Sequence, residues 1–385
     1  MLPRLCTLPA RQSCLLLGPR QTGKSTLVRS FLRGRRAWTV DLLHHEVFLR
    51  YVREPGLFRR EAEAKIQSGI RDIFVDEIQK IPALLDEVHV LIEATGARFI
   101  LTGSSARKLK GRGTNLLAGR AVTRKLHPLT RSEQGERFDL DRTLRFGSLP
   151  AVVTRPDVEA VDLLRSYSQT YLREEIQAEA IVRNLGGFAR FLEVASAQCG
   201  ELLNYTAVGR DASLATRTVQ EYFQILEDTL LGFRLEPWRR GPRARLVGHP
   251  RFYLFDTGVT NALNRRLTSE PDPTQRGRLF EQLVVLDCLR LVDYGNSEAR
   301  LFFWRTNHGA EVDLLIEKHG KIRAAIEIKA KTRVASADLS GLRAFAQAHP
   351  RVPLVVVALV PEEHRLGAVD VLPYERFLER LTAWI

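Results

Sequence analysis

Eight consecutive residues, Gly18, Pro19, Arg20, Gln21, Thr22, Gly23, Lys24 and Ser25, constrain this chain more than any other stretch. They satisfy G-x-x-x-x-G-K-[ST], follow an apolar run from Ser13 to Leu17, and precede Leu27, Val28 and Phe31 at helical spacing. Strand, glycine-rich turn and helix in that order predict an α/β fold with a parallel sheet. The residue types follow from phosphate chemistry. Glycines let backbone N–H groups close around a polyphosphate, and the helix N-terminus adds positive partial charge. ATP is the expected ligand: Lys24 is expected on its β- and γ-phosphates, Ser25 on Mg²⁺, and Thr26 beside them in the first helical turn.

A second stretch fits the same chemistry. Ile73 to Val75 is an apolar run that ends in Asp76 and Glu77. On a strand beside the phosphate loop, Asp76 is expected to hold Mg²⁺ through water and Glu77 to polarise the attacking water. Arg98 to Ser105 reads as another strand, ending in hydroxyls, where Ser104 or Ser105 suits a sensor of the γ-phosphate. Ala37 to Asp41 reads as a strand, and Leu57 to Gln67 and Pro82 to Ala94 as helices.

Length and charge bound the rest. A chain of 385 residues exceeds one ordinary core, so two or three domains are expected. Lys and Arg number 58 against 45 Asp and Glu, a net charge of +13, which suits a polyanionic partner such as DNA. The four cysteines form no C-x-x-C pair, which argues against a zinc site or disulfide framework and fits a reducing cytoplasm. The longest apolar runs, such as Leu354 to Val360, are too short to span a membrane, so a soluble protein without membrane contact is expected.

The order of the motifs in the first third, from the phosphate loop through VDEIQ, LTGSS, LAGR (Leu117 to Arg120) and HPLT (His127 to Thr130), resembles a prokaryotic AAA+ ATPase family whose members carry a C-terminal domain of unknown function. The resemblance extends over nearly the whole chain, through Phe146 to Pro150, Tyr171 to Arg173 and Tyr253 to Gly258. It implies an AAA+ domain over residues 1–155, Arg120 as a finger acting on a neighbouring subunit's nucleotide, and a homo-oligomer, with a hexamer favoured. Ser104 stands where many such proteins carry an Asn.

Residues 156–275 are expected to form a helical and winged-helix domain. Gly186 and Gly187 read as a break or hinge, and Val219, Tyr222, Phe223 and Leu226 give one apolar helix face. Arg217 on that helix, with Arg239, Arg240, Arg243 and Arg245 at a hairpin tip, are the expected DNA contacts. From Gly277 the order helix, three strands, helix, strand, with Glu281, Asp313, Glu327 and Lys329, resembles the PD-(D/E)xK nuclease fold, here with Val312 where the motif's name places Pro. Alternation along a strand puts Glu327 and Lys329 on one face. The resemblance implies Asp313 and Glu327 as metal ligands, Glu281 as an auxiliary ligand and Lys329 beside the attacking water. The expected function is a DNA-bound ATPase motor, acting on forks or four-way junctions; an ATP-controlled switch and an ATP-gated nuclease are the alternatives.

Overall fold

The computed structural model describes residues 2–105, 116–171, 184–238 and 248–385. Two compact units emerge: one comprises Met1–Leu129 with Leu149–Ala151 and Gln224–Leu231, the other Thr130–Ser148, Val152–Phe223 and Gly232–Ile385.

The first unit is built on five parallel strands, β1 (Ser13–Leu17), β2 (Ala37–Asp41), β3 (Asp72–Asp76), β4 (Arg98–Gly103) and β5 (Ala121–Lys125), in the order β2-β3-β4-β1-β5. Every residue of β1, β3 and β4 is buried, as expected of central parallel strands covered on both faces. Leu15, Ile73, Val75, Phe99 and Leu101 join Phe58 of the helix Pro55–Gln67 and Val88 of the helix Leu84–Thr95 in one core. This packing fixes the carboxyl ends of β1, β3 and β4 side by side, where ligands of open α/β sheets bind.

The second unit contains an eight-stranded mixed sheet. Its strands are β6 (Gly232–Pro237), β7 (Arg251–Leu254), β8 (Arg300–Arg305), β9 (Glu311–Lys318), β10 (Lys321–Lys329), β11 (Leu354–Ala358), β12 (His364–Leu366) and β13 (Val369–Pro373), in the order β12-β13-β11-β10-β9-β8-β6-β7. The helix Pro273–Tyr294 precedes β8, and the helix Ser340–Ala348 lies between β10 and β11, so the expected helix, three-strand, helix, strand order is present. A capping box of Asp272 and Gln275, with Pro273 in the first turn, starts the longer helix. Strands β12 and β13 extend the sheet beyond what was expected.

In the middle of the chain, the helices Leu185–Ala197, Tyr205–Ala212 and Thr216–Asp228 precede the β6–β7 hairpin. Phe188, Phe191, Tyr222, Phe223 and Phe252 pack with ring centroids 4.7 to 5.5 Å apart, edge-on except for the tilted pair Phe188 and Phe191. The hairpin is not a separate wing at its base, because β6 pairs in parallel with β8 and carries the hairpin into the C-terminal sheet. Gly186 and Gly187 differ from expectation too. They lie in the first turn of their helix, where the Asn184 side chain accepts a hydrogen bond from the Gly187 N–H at 2.8 Å and starts the helix that glycine alone would disfavour. Among the described residues no helix is long and apolar enough to cross a membrane.

Candidate nucleotide site and a second carboxylate cluster

The phosphate loop joins β1 to the helix Lys24–Phe31. Two of its glycines are required by geometry. A Cβ on Gly18 would lie 2.3 Å from the Leu126 carbonyl oxygen, and Gly23 has φ 90°, in the left-handed region. Lys24 is buried, and its Nζ donates to the carbonyls of Gly18 at 2.8 Å and Pro19 at 3.0 Å, so the loop curls around its own ammonium. The Thr22 hydroxyl donates to the Pro19 carbonyl at 2.8 Å. Arg4, which sequence reasoning passed over, ties the loop down from outside: its guanidinium donates to the Thr22 carbonyl at 2.7 Å and to the His127 carbonyl at 2.6 Å.

The acids at the end of β3 belong to a hydrogen-bonded network with β4. The Thr102 hydroxyl donates to Asp76 Oδ1 and accepts from the Glu77 N–H at 3.1 Å. Glu77 has φ 60°, a left-handed conformation that turns the chain sharply where the acid must leave the strand. The buried Gln79 amide donates to Glu77 Oε2 and, at 3.0 Å, to Ser104 Oγ. A carboxylate can only accept, which fixes the orientation of that amide. Ser104, the candidate sensor, thus shares the Gln79 amide with the candidate base, whereas Gln79, part of the VDEIQ signature, received no role from the sequence. An amide two residues after a paired acid was the available signal.

ATP and Mg²⁺ fit these residues. The glycine-lined turn leaves room against Leu126 that a Cβ would fill, and the buried Gln21 Oε1 has no hydrogen-bond partner in the loop. Ser25 and Asp76 offer the oxygen donors that Mg²⁺ prefers. Arg120 directly precedes β5 and pairs with Glu93 through Nε, at 2.7 Å, and Nη2.

Residues 10–134 match a family model described as an AAA domain. Residues 276–377 match a domain of unknown function (DUF4143), and residues 137–270 another (DUF8612). The chain therefore carries an AAA domain followed by a C-terminal domain of the first of these types. Among curated proteins it is 28% identical over 364 residues to uncharacterised proteins of Mycobacterium tuberculosis and Mycobacterium bovis, covering 92% of this chain and 78% of each relative. An uncharacterised protein of Haemophilus influenzae is 22% identical over 348 residues, covering 83% of both chains. Among solved structures, AMPPCP-bound DnaA from Aquifex aeolicus is similar with a TM-score of 0.27 and 12% identity, covering 57% of this chain and 82% of that one.

The second cluster lies in the C-terminal sheet. Lys329 Nζ is 2.6 Å from Glu327 Oε1 and 3.9 Å from Asp313 Oδ2, so the expected sharing of a face on β10 is present. Asp313 Oδ2 also accepts the Ile328 N–H at 2.9 Å. Glu281, from the helix Pro273–Tyr294, accepts from Arg251 Nη1 at 2.8 Å and from the Tyr253 hydroxyl at 2.6 Å. Arg251 also faces Asp313 Oδ1 at 3.7 Å and pairs with Glu311. Burial, reinforced by Asp313, raises the carboxyls of both Glu281 and Glu327. Burial would lower Lys329, but Asp313 and Glu327 outweigh it and raise the ammonium.

Among the described residues no group of three or more His, Cys, Asp or Glu side chains is arranged to hold a metal ion. Glu281, Asp313 and Glu327 come together as expected, but around Arg251 and Lys329 instead of an open ion position. Arg251, Tyr253 and Glu311 had no site role in the sequence reading; Arg251 and Tyr253, on β7, meet β9 only once β6 joins β8. Arg217 is on the exposed face of its helix, 3.4 Å from Glu221. Arg239, Arg240, Arg243 and Arg245 lie outside the described residues.

Proposed function

We propose that this chain is an Mg²⁺-dependent ATPase that couples nucleotide turnover to work on DNA. The observation that carries the reading is the phosphate loop after β1, curled around Lys24, together with Asp76, Glu77 and Ser104 at the carboxyl ends of the neighbouring strands β3 and β4, the last three tied to one another by Thr102 and Gln79. In this reading Lys24 and the loop N–H groups hold the polyphosphate, Ser25 and Asp76 hold Mg²⁺, and Mg²⁺ supplies charge neutralisation between the phosphates. Glu77 accepts a proton from water, oriented by Gln79. Arg120 completes a neighbouring subunit's site in a ring, a hexamer being favoured. It must then leave Glu93, and an ion pair this exposed is worth only ~0–1 kcal/mol.

The net charge of +13 supports DNA as the partner, with Arg217 and the arginines of 239–247 on its phosphates. Forked and four-way DNA are the proposed substrates, gripped by the C-terminal domain without strand cleavage. The deciding experiment measures ATP turnover and strand cleavage together on single-stranded, duplex, forked and four-way DNA. Turnover stimulated most by branched DNA, with strands intact, is expected; turnover indifferent to every DNA would remove the motor. The contact between Gln79 and Glu77 also supports a second reading, an ATP-controlled switch with slow turnover, in which the amide restrains the base.

A further inference from the structure

We propose that Arg251 supplies the positive charge that a divalent ion would supply in the carboxylate cluster of the C-terminal sheet, so that this site is compensated from within and works without metal. The proposal goes beyond the ATPase reading and does not depend on it.

Placement is the first argument. The Arg251 guanidinium reaches carboxylates from two elements: Glu281 on the helix Pro273–Tyr294, and both Glu311 and Asp313 on β9. A planar fork of N–H donors suits such divided service, as a lysine's single ammonium does not. Two carboxylates of the expected ligand set thus already face one cation, and Lys329 takes a third through Glu327.

Fixation is the second. Arg251 is 7% exposed, and its guanidinium lies 5.2 Å from the Phe303 ring centre. Tyr253, two residues along β7 and hence on the same face, donates to the same Glu281 oxygen. The Arg251 backbone pairs with Leu235 in β6 and bridges to Leu202. This is a built position, not a surface side chain resting on a convenient acid.

What remains for an ion is the third argument. Mg²⁺ asks for about six oxygen ligands and Mn²⁺ favours a similar shell. Glu327 Oε2 is the cluster oxygen that is buried with no hydrogen-bond partner. An entering ion would meet that oxygen beside a guanidinium, and would have to compete with the arginine for Glu281 and Asp313. The adjoining cleft, of about 370 Å³, is lined by Arg251, Arg278 and Arg305 along with Glu201, Glu281 and Glu311, so it is lined by cations as well as acids. An anionic phosphodiester would meet arginines there with no metal between.

The test uses the full chain without nucleotide. Mn²⁺ uptake, read by electron paramagnetic resonance, is compared in the wild type, Arg251→Met and Asp313→Asn, and thermal unfolding of each is followed in EDTA and in millimolar Mn²⁺. Weak Mn²⁺ sites elsewhere, the phosphate loop included, are common to all three and cancel. The wild type is expected to take up no more Mn²⁺ than Asp313→Asn and to melt at the same temperature in EDTA and Mn²⁺. Arg251→Met, which leaves buried carboxylates uncompensated, is expected to melt about 10 °C lower and to recover part of that loss in Mn²⁺. A stoichiometric Mn²⁺ site in the wild type that Asp313→Asn abolishes would overturn the proposal, and so would an Arg251→Met protein as stable as the wild type. Should Arg251→Met fail to fold, the comparison of wild type with Asp313→Asn still decides. ATP turnover in the same wild-type preparation reports on the ATPase reading separately.

Discussion

At the end of β3, Asp76 and Glu77 are held by neutral groups, the Thr102 hydroxyl and the Gln79 amide. On β9 and β10, Asp313 and Glu327 are held by cations, Arg251 and Lys329. Both sites pair an acid at a strand with a second acid nearby; Asp76 is buried at the first, and Asp313 and Glu327 at the second. The partners make the difference. A carboxylate oriented by neutral donors is open to a cation that arrives with a substrate, whereas one facing a guanidinium already has a cation beside it. A list of acidic residues in the right order therefore carries less information than the identity of what touches them.

The sharpest contrast comes from removing charge at the first site. Glu77→Gln is expected to lower turnover by ~10²–10⁴-fold while ATP binding persists, because the amide cannot take a proton from water. Lys24→Ala is expected to lose ATP binding itself. Equilibrium binding of a fluorescent ATP analogue beside steady-state turnover separates the two. Normal hydrolysis by Glu77→Gln would remove the comparison by showing that β3 ends in a structural acid.

Arg120 tests whether the first site is finished by a second subunit. Arg120→Ala is expected to lower turnover by up to ~10³-fold with ATP affinity kept, and mixing it with Glu77→Gln is expected to restore part of the activity. Each variant would supply what the other lacks at a shared boundary. No recovery on mixing, with a monomeric mass by light scattering, would return Arg120 to its pairing with Glu93.

Gln79 is a smaller effect and asks how neutral partners act. Gln79→Ala is expected to lower kcat about tenfold with KM for ATP unchanged, as for a residue that orients the base without touching the phosphates. A rise in basal turnover would instead identify the amide as a restraint and favour the switch reading.

Much of the first unit was legible because its signals are local. The phosphate loop, the acids of β3 and the hydroxyls after β4 are each contiguous, and β2 runs over Ala37–Asp41 as expected. The C-terminal order of helix and strands was legible for the same reason, down to Glu327 and Lys329 two residues apart on one strand. What escaped is what depends on distant pairing. Nothing near Arg251 announces Glu281 or Asp313; the parallel pairing of Glu236 with Phe302 and of Pro237 with Phe303 brings β7 toward the cluster. Gly186 and Gly187 misled because composition at those positions was weighed without Asn184, whose side chain starts the helix. Arg4 escaped because a lone arginine before a strand has no pattern.

The least perturbing test of the contrast is a pH profile. Burial and the neighbouring Asp313 raise the Glu327 carboxyl from the ordinary glutamate range to about 8. The folded chain then binds that proton more tightly than the unfolded chain. The stability this contributes is fully present below the unfolded pKa and is lost as pH rises through the folded value. Glu281 is raised too, so it acts in the same sense. The melting temperature of the wild type should accordingly contain a component that falls between about pH 4.5 and pH 8. Glu327→Gln removes the titrating group but keeps an oxygen for Lys329, so the difference between variant and wild type should move in the variant's favour by several degrees across that window. The change is modest because Lys329 stays charged throughout and compensates part of the ionised carboxylate. Parallel melting curves for the two proteins from pH 5 to pH 8 would mean that Glu327 ionises as an ordinary carboxylate, and that Arg251 and Lys329 compensate the second cluster more completely than its burial opposes.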